Sequence, residues 1–142
     1  MDRDGVLLLM DEEALFKKAL DLAAQGPGLE KTLAVLAWAM REILEAVRWL
    51  KVRTLEEEAR FFQALAHKAA KELGLPPERL KGLRYYHFMR QAPGAEALLQ
   101  DLKARGFKVG VLSNTLPSLR ESLAHHGLDR YVDGFFASCA AV

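Results

Sequence analysis

The chain has 142 residues, of which 51% are hydrophobic and 27% are charged, and its formal net charge at pH 7 is +1. The apolar fraction is sufficient for a packed core and excludes an intrinsically disordered chain. Because the net charge is close to zero, no overall field attracts nucleic acid or an anionic membrane, and neither is expected as a partner.

The start of the chain combines acidic and apolar residues. Residues 2–5 read Asp-Arg-Asp-Gly and precede an apolar run at residues 6–10. This run is far shorter than the roughly 20 residues that cross a membrane, and the acidic start differs from the basic start of a signal peptide. Since the single cysteine, Cys139, cannot form an internal disulfide, we predict a cytoplasmic protein. The composition is thermophile-like, because Asn114 is the only asparagine.

Two helices are predicted in the first third of the chain. Asp11 is a candidate N-cap for a helix that ends at the Gly-Pro-Gly of residues 26–28. Apolar residues at three- and four-residue steps predict a second, longer helix over residues 29–50. The buried stripe of the first helix is expected to contain Leu15, Phe16, Ala19 and Leu20, and that of the second Leu33, Leu36, Met40, Ile43, Val47 and Leu50.

Two further helices are predicted before residue 93. Thr54 and Glu57 form a capping box for a third helix, which ends at Gly74. The prolines at residues 76 and 77 are expected to start a fourth helix that ends before Pro93. All four apolar stripes predict helix-on-helix packing.

After Gly94 the pattern alternates between helix and strand. The four segments are, in chain order, a helix to residue 106, a strand at 107–112, a helix ending at 127 and a strand at 135–137. Strand, helix and strand joined by short loops predict an α/β fold with parallel, buried strands. Ligands bind beyond the carboxyl ends of such strands, and Ser113 and Asn114 occupy that position.

Two acidic residues near the start are candidate catalytic groups. Asp2 and Asp4 are two residues apart, so in an extended segment both carboxylates face the same side. One could act as a nucleophile and the other as a proton donor and acceptor. The alternative is a solvated chain end without function.

Ser113 and Asn114 are the second candidate. A hydroxyl and backbone amides at the end of a strand can donate hydrogen bonds to an anionic oxygen, and the start of the next helix adds a favourable dipole. The alternative is an ordinary helix cap, where Ser and Asn are favoured in any case.

Together these segments resemble the haloacid dehalogenase (HAD) superfamily of hydrolases, in the subgroup with a helical cap inserted after the first motif. Residues 2–7, Asp-Arg-Asp-Gly-Val-Leu, resemble the first motif, Asp-x-Asp-Gly-Thr/Val-Leu. Residues 109–114, Val-Gly-Val-Leu-Ser-Asn, resemble the second, an apolar strand ending in Ser/Thr-Asn. The resemblance implies an incomplete Rossmannoid parallel sheet, with the α/β core at 1–10 and 91–142 and a mostly helical cap at 11–90.

The resemblance also implies roles for the candidate residues. Asp2 would attack a substrate phosphorus and form an aspartyl-phosphate, while Asp4 would protonate the leaving oxygen and then activate water. Ser113 and Asn114 would bind the substrate phosphate. A magnesium ion would be held by the Asp2 carboxylate and the Asp4 backbone carbonyl. Because dehalogenase members usually lack the second acid, Asp4 favours a phosphatase of small phosphorylated metabolites.

We expect parts of the family's site to be missing. Only Met1 precedes Asp2, where the family has a buried strand, and no lysine follows Ser113. The family's third motif, a lysine, and its fourth, a set of acidic residues, are therefore expected to be absent. Two functions of different classes stay open: a magnesium-dependent phosphatase, or a truncated or degenerate, non-catalytic interaction module. A sheet short of strands has open edges, which predicts a homo-oligomer or strand exchange between copies.

Two groups of aromatic residues have less direct interpretations. Tyr85, Tyr86 and His87 are expected either to pack between cap and core or to line a substrate cleft below the cap. His125 and His126 lie near a helix end, where cationic side chains are favourable. Because adjacent side chains on a helix point apart, these two histidines are not expected to form a metal pair.

Overall fold

Five α-helices and two pairs of short strands make up the part of the chain that the computed structural model describes, namely residues 3, 5–113 and 116–137. In chain order they are β1 (Leu8–Met10), α1 (Glu12–Ala23), α2 (Leu29–Arg48), α3 (Leu55–Leu73), β2 (Met89–Gln91), α4 (Ala95–Ala104), β3 (Gly110–Ser113), α5 (Leu119–His125) and β4 (Gly134–Ala137). Short 3-10 helices lie at Pro77–Arg79, Tyr85–Phe88 and Asp129–Tyr131.

The predicted strand–helix–strand unit is confirmed. β3 and β4 pair in parallel, with α5 between them in the chain. One face of β3 is buried, through Val111 and Ser113, while Leu112 on the other face is 60% exposed. Its partner across the pair is Phe136, which is 58% exposed. The fold is therefore α/β, and the described sheet is covered on one face and open on the other.

The helix ends are determined by local hydrogen bonds that the sequence predicts. Asp11 caps α1, because its carboxylate accepts a hydrogen bond from the backbone N–H of Ala14. Thr54 caps α3 by accepting from the backbone N–H of Glu57. Gly74 ends α3 in the left-handed conformation, at φ +69°, which a residue with a side chain rarely adopts. The caps at Asp11 and Thr54 and the helix end at Gly74 are confirmed. The capping box is confirmed only in its Thr54 half, because the Glu57 carboxylate accepts a hydrogen bond from the backbone N–H of Arg53, one residue before the cap.

The prediction of a fourth α-helix is wrong. The segment from Pro76 to Gln91 instead forms two 3-10 helices and then β2, which pairs antiparallel with β1. Gly82 lies between the two 3-10 helices at φ +82°, a conformation that interrupts any right-handed helix. The backbone groups of β2 are then satisfied by β1, with Leu9 opposite Arg90.

The buried stripe predicted for α1 is wrong in part. Ala19 is buried as expected, but Phe16 and Leu20 are 49% and 46% exposed, and Leu22 is buried in their place. Leu33 of α2 is likewise 42% exposed. The two helices pack against each other through a narrower strip than the apolar residues alone indicate.

Three apolar clusters stabilise the described part of the chain. The largest includes Leu7, Leu99, Val111 and Leu123, so it joins the first residues to α4, β3 and α5. A second lies among the helices at residues 11–90, and a third joins Phe62 of α3 to the segment just after Asn114. The division into a core at 1–10 and 91–142 and a cap at 11–90 stays a prediction. No described helix is long and apolar enough to span a bilayer.

Candidate functional site

One of the four predicted site residues lies in the described part of the chain. Ser113 is the last residue of β3, is 2% exposed and lies opposite Ala137 of β4. Asp2, Asp4 and Asn114 lie outside the described residues, so their roles stay predictions. The site is therefore described from Ser113, from Arg3 and from the described residues that contact Arg3.

Arg3, which lies between the two acids in sequence, is held in the interior at 3% exposure. Its Nη1 donates to the hydroxyl of Tyr85 at 2.7 Å and to that of Ser122 at 3.2 Å. The guanidinium carbon also lies 5.1 Å from the centre of the Tyr85 ring, within range of a cation–π interaction. Since Ser122 belongs to α5, the segment of the first motif contacts the helix that follows the second motif.

Glu58 of α3 is a buried acid that the sequence did not indicate. It is 2% exposed, and its Oε1 accepts a hydrogen bond of 2.8 Å from the hydroxyl of Ser118, the residue before α5. The Ser118 Oγ also lies 3.3 Å from the hydroxyl of Tyr85. Four side chains from four segments, Arg3, Glu58, Tyr85 and Ser118, therefore form one polar network in the interior.

Burial raises the pKa of Glu58 above its usual value of 4.5. The hydrogen bonds from Ser118 and the positive charge of Arg84 act in the opposite direction, and the carboxylate of Glu121 raises the pKa further. The net direction follows from the cost of placing a negative charge where water cannot reach it.

This shift predicts a pH dependence of stability. Because the folded pKa is above the unfolded one, the stabilising contribution is fully present below pH 4.5 and is lost as the pH rises through the folded pKa. Because the side chain introduced by Glu58→Gln cannot ionise, the unfolding free energy of this variant should not decrease over this pH range. Urea unfolding of both proteins over a pH series measures the difference. If the unfolding free energies of the two proteins changed with pH in parallel, the raised pKa of Glu58 would be contradicted.

Three histidines lie next to this network. The Nδ1 of His87 accepts a hydrogen bond of 2.9 Å from the backbone N–H of Arg84, and the His125 ring lies 4.9 Å from the His87 ring. His126 Nε2 lies 2.8 Å from the carbonyl oxygen of Tyr86. Burial lowers the pKa of His87 and of His126, and the neighbouring His125 adds to both effects.

The aromatic residues pack between the helices at residues 11–90 and α5, as one interpretation predicted. Tyr85 lies 6.4 Å from Phe62 of α3, and Tyr86 lies 5.4 Å from His125, measured between ring centres. Adjacent histidines were expected to point apart, but the rings of His125 and His126 are 5.0 Å apart and nearly perpendicular. The short helix ends there, so its last side chains both turn towards Tyr86.

An apolar cavity of about 100 Å³ lies among α1, α2 and α3. Met40, Ile43 and Phe62 contribute to its wall, and Tyr85 and Arg84 line it from the 3-10 segment. A cavity with so few polar groups is expected to stay dry. The Tyr85 ring therefore borders an apolar space while its hydroxyl belongs to the polar network.

The donors for a metal ion are not found in the described residues. Within residues 3, 5–113 and 116–137, no group of three His, Cys, Asp or Glu side chains could hold a metal ion. Asp133, close to β4, instead accepts hydrogen bonds from Lys103 and from the backbone N–H of Val109.

These features agree with a family match. A family model of haloacid dehalogenase-like hydrolases matches residues 1–141, and the chain belongs to this family. The predicted resemblance to the haloacid dehalogenase superfamily is thereby confirmed.

Solved structures of this family show the same fold. One is a HAD phosphatase from Thermococcus onnurineus, at 19% identity and a TM-score of 0.52, with 98% of this chain and 60% of that chain covered. Another is an L-2-haloacid dehalogenase from Xanthobacter autotrophicus with chloropropionic acid covalently bound, at 18% identity and a TM-score of 0.52, with 99% and 56% covered. The present chain thus spans less than two thirds of the length of either protein. A search of curated protein sequences found no match.

Proposed function

We propose that this chain carries the nucleophile, the acid–base group and the phosphate-binding residues of a magnesium-dependent phosphatase for small phosphorylated metabolites. The observation that supports this most directly is the contact of Arg3 with Ser122. Arg3, which lies between the two acids in the sequence, thereby contacts the helix that follows Ser113. The second acid, Asp4, favours a phosphate ester over an organic halide as the substrate class, because the alkoxide oxygen that leaves a phosphate ester needs a proton and a halide ion does not.

The four residues divide the steps of the proposed reaction among them. Asp2 attacks the phosphorus in line, and the bond to the leaving oxygen breaks as Asp4 gives that oxygen a proton. Asp4 then takes a proton from the water that hydrolyses the aspartyl-phosphate, which returns both acids to their starting states. Ser113 and Asn114 donate hydrogen bonds to the phosphoryl oxygens. The Asp2 carboxylate and the Asp4 backbone carbonyl would hold a magnesium ion, which would supply positive charge to offset the charge on the phosphoryl group.

An interaction module is the alternative function, and one observation favours it. Leu112 and Phe136 lie side by side on the open face of the β3–β4 pair, each more than half exposed. Parallel sheets are normally covered on both faces. A second copy of the chain, or exchange of strands between copies, would cover this face.

Removal of the metal tests the proposal. Phosphate release from p-nitrophenyl phosphate should depend on added magnesium and fall by at least about 10²-fold with a chelator, since a group that stabilises charge is lost. Re-addition of magnesium is the control and should restore the rate. A folded chain whose turnover does not respond to either step is not a magnesium-dependent phosphatase, and the interaction module then becomes the better description.

A further inference from the structure

The polar network joins three parts of the chain that are far apart in sequence. Arg3 precedes β1, Glu58 lies in α3, and Ser118 stands directly before α5. Tyr85 links them, because its hydroxyl lies 2.7 Å from Arg3 and 3.3 Å from Ser118. The network therefore contacts the segment of Asp2 and Asp4 and the segment after Ser113 at the same time.

We propose that Glu58 is a positioning residue: through Ser118 and Tyr85 it holds together the two segments that carry the first and second motifs. The role rests on the proposed function, because it concerns the same site. Glu58 does not touch substrate or metal in this assignment. It acts on the site through the residues to which it is bonded.

Apolar contacts with α3 also hold the segment just before α5, next to the hydrogen bond of Glu58. Leu116 is 1% exposed and belongs to the cluster that contains Phe62, one turn after Glu58 in α3. Residues 116 and 118 are thus both attached to α3, one by apolar contact and the other by a hydrogen bond. The loop that follows Ser113 and Asn114 consequently has its far end fixed by a helix of the predicted cap.

A carboxylate at this position contributes to geometry more than to stability. Burying a charged group costs free energy that its hydrogen bonds only partly return, and an apolar side chain of similar size is often as stable or more so. An apolar residue could fill the space of Glu58, but it could not accept the hydrogen bond of Ser118. The directed bond is therefore what the carboxylate adds, and catalytic groups require such precise placement.

The test compares Glu58→Ala with Glu58→Gln, and with Leu80→Ala as a matched control. Leu80 is 4% exposed and belongs to the apolar cluster among the helices, which contains none of the four network residues. Glu58→Ala should lower kcat by about 10- to 100-fold with little change in KM, since a small displacement of reacting groups reduces rate more than binding. Glu58→Gln keeps an oxygen acceptor and should restore most of the rate.

Hydrogen exchange provides a readout that does not depend on activity. The backbone amides of residues 116 and 118–122 should exchange faster in Glu58→Ala than in wild type, and should remain protected in Glu58→Gln and Leu80→Ala. If Glu58→Ala does not fold, Ser118→Ala removes the same hydrogen bond from the other side and has the same expected result.

The two proposals fail in different ways. Absence of magnesium-dependent turnover in the wild type would overturn the phosphatase, while the exchange comparison would still decide the role of Glu58. Equal rates of amide exchange in the segment 116–122 for Glu58→Ala and Leu80→Ala would overturn the positioning role. A Glu58→Gln variant whose kcat is no higher than that of Glu58→Ala would also overturn it.

Discussion

Asp2→Asn should reduce phosphate release by about 10⁴-fold or more, because an amide oxygen is a poor nucleophile and no aspartyl-phosphate can form. The loss should be in kcat, and it should be of similar size for aryl and alkyl phosphates. Steady-state rates with p-nitrophenyl phosphate and with a simple alkyl phosphate measure both quantities. Acid quenching with radiolabelled substrate should trap label on the wild-type protein and none on the variant.

Asp4→Asn is the matched control, since it replaces the neighbouring acid by the same chemical change. Without a proton donor the variant should lose alkyl phosphate hydrolysis by about 10²- to 10⁴-fold. The p-nitrophenolate ion leaves without a proton, so this variant should still release one equivalent of it and then stall as the labelled protein. An Asp2→Asn protein that turns over as fast as the wild type would remove Asp2 from the mechanism.

Leu99→Ala should destabilise the protein by about 2–5 kcal/mol, the range for a fully buried leucine that leaves a cavity. Leu99 is 0% exposed in α4 and belongs to the cluster with Leu7 and Val111. It therefore connects the last residue of the first motif to the strand of the second motif. Urea unfolding, with the slope of the transition unchanged, measures the loss.

Leu98→Ala is the control for this prediction, because Leu98 occupies the same helix but is 42% exposed. The unfolding free energy of Leu98→Ala should fall by less than about 1 kcal/mol. Equal losses for the two variants would mean that the cluster does not depend on Leu99. A decline in any magnesium-dependent turnover of Leu99→Ala under conditions where the protein stays folded would show that the cluster also supports the site.

Local features of the fold could be predicted from the sequence, because each depends on residues a few positions apart. The caps at Asp11 and Thr54 each involve a backbone N–H three residues further on, and Gly74 acts through its own backbone. The strand–helix–strand unit follows from alternating apolar segments, and the family follows from residues 2–7 and 109–114.

Features that depend on distant partners were decided only by the tertiary structure. The segment of β2 carries a helix-like pattern, but it becomes a strand because Leu9, some 80 residues earlier, supplies its hydrogen-bonding partners. Phe16 looks like a core residue, yet about half of it stays exposed because the adjacent helix covers a different strip.

The site shows the same division. Asp2, Asp4, Ser113 and Asn114 were predicted as site residues from their types and spacing, whereas the network of Arg3, Glu58, Tyr85 and Ser118 was not predicted. Glu58 follows two other glutamates in the first turn of α3, where acidic residues are favoured by the helix dipole and are normally solvated. Its burial results from the approach of Ser118, 60 residues later. The sequence by itself thus determined which residues are candidates for the proposed chemistry, and the packing of α3 against the start of α5 determined the burial of Glu58 and its hydrogen bond to Ser118.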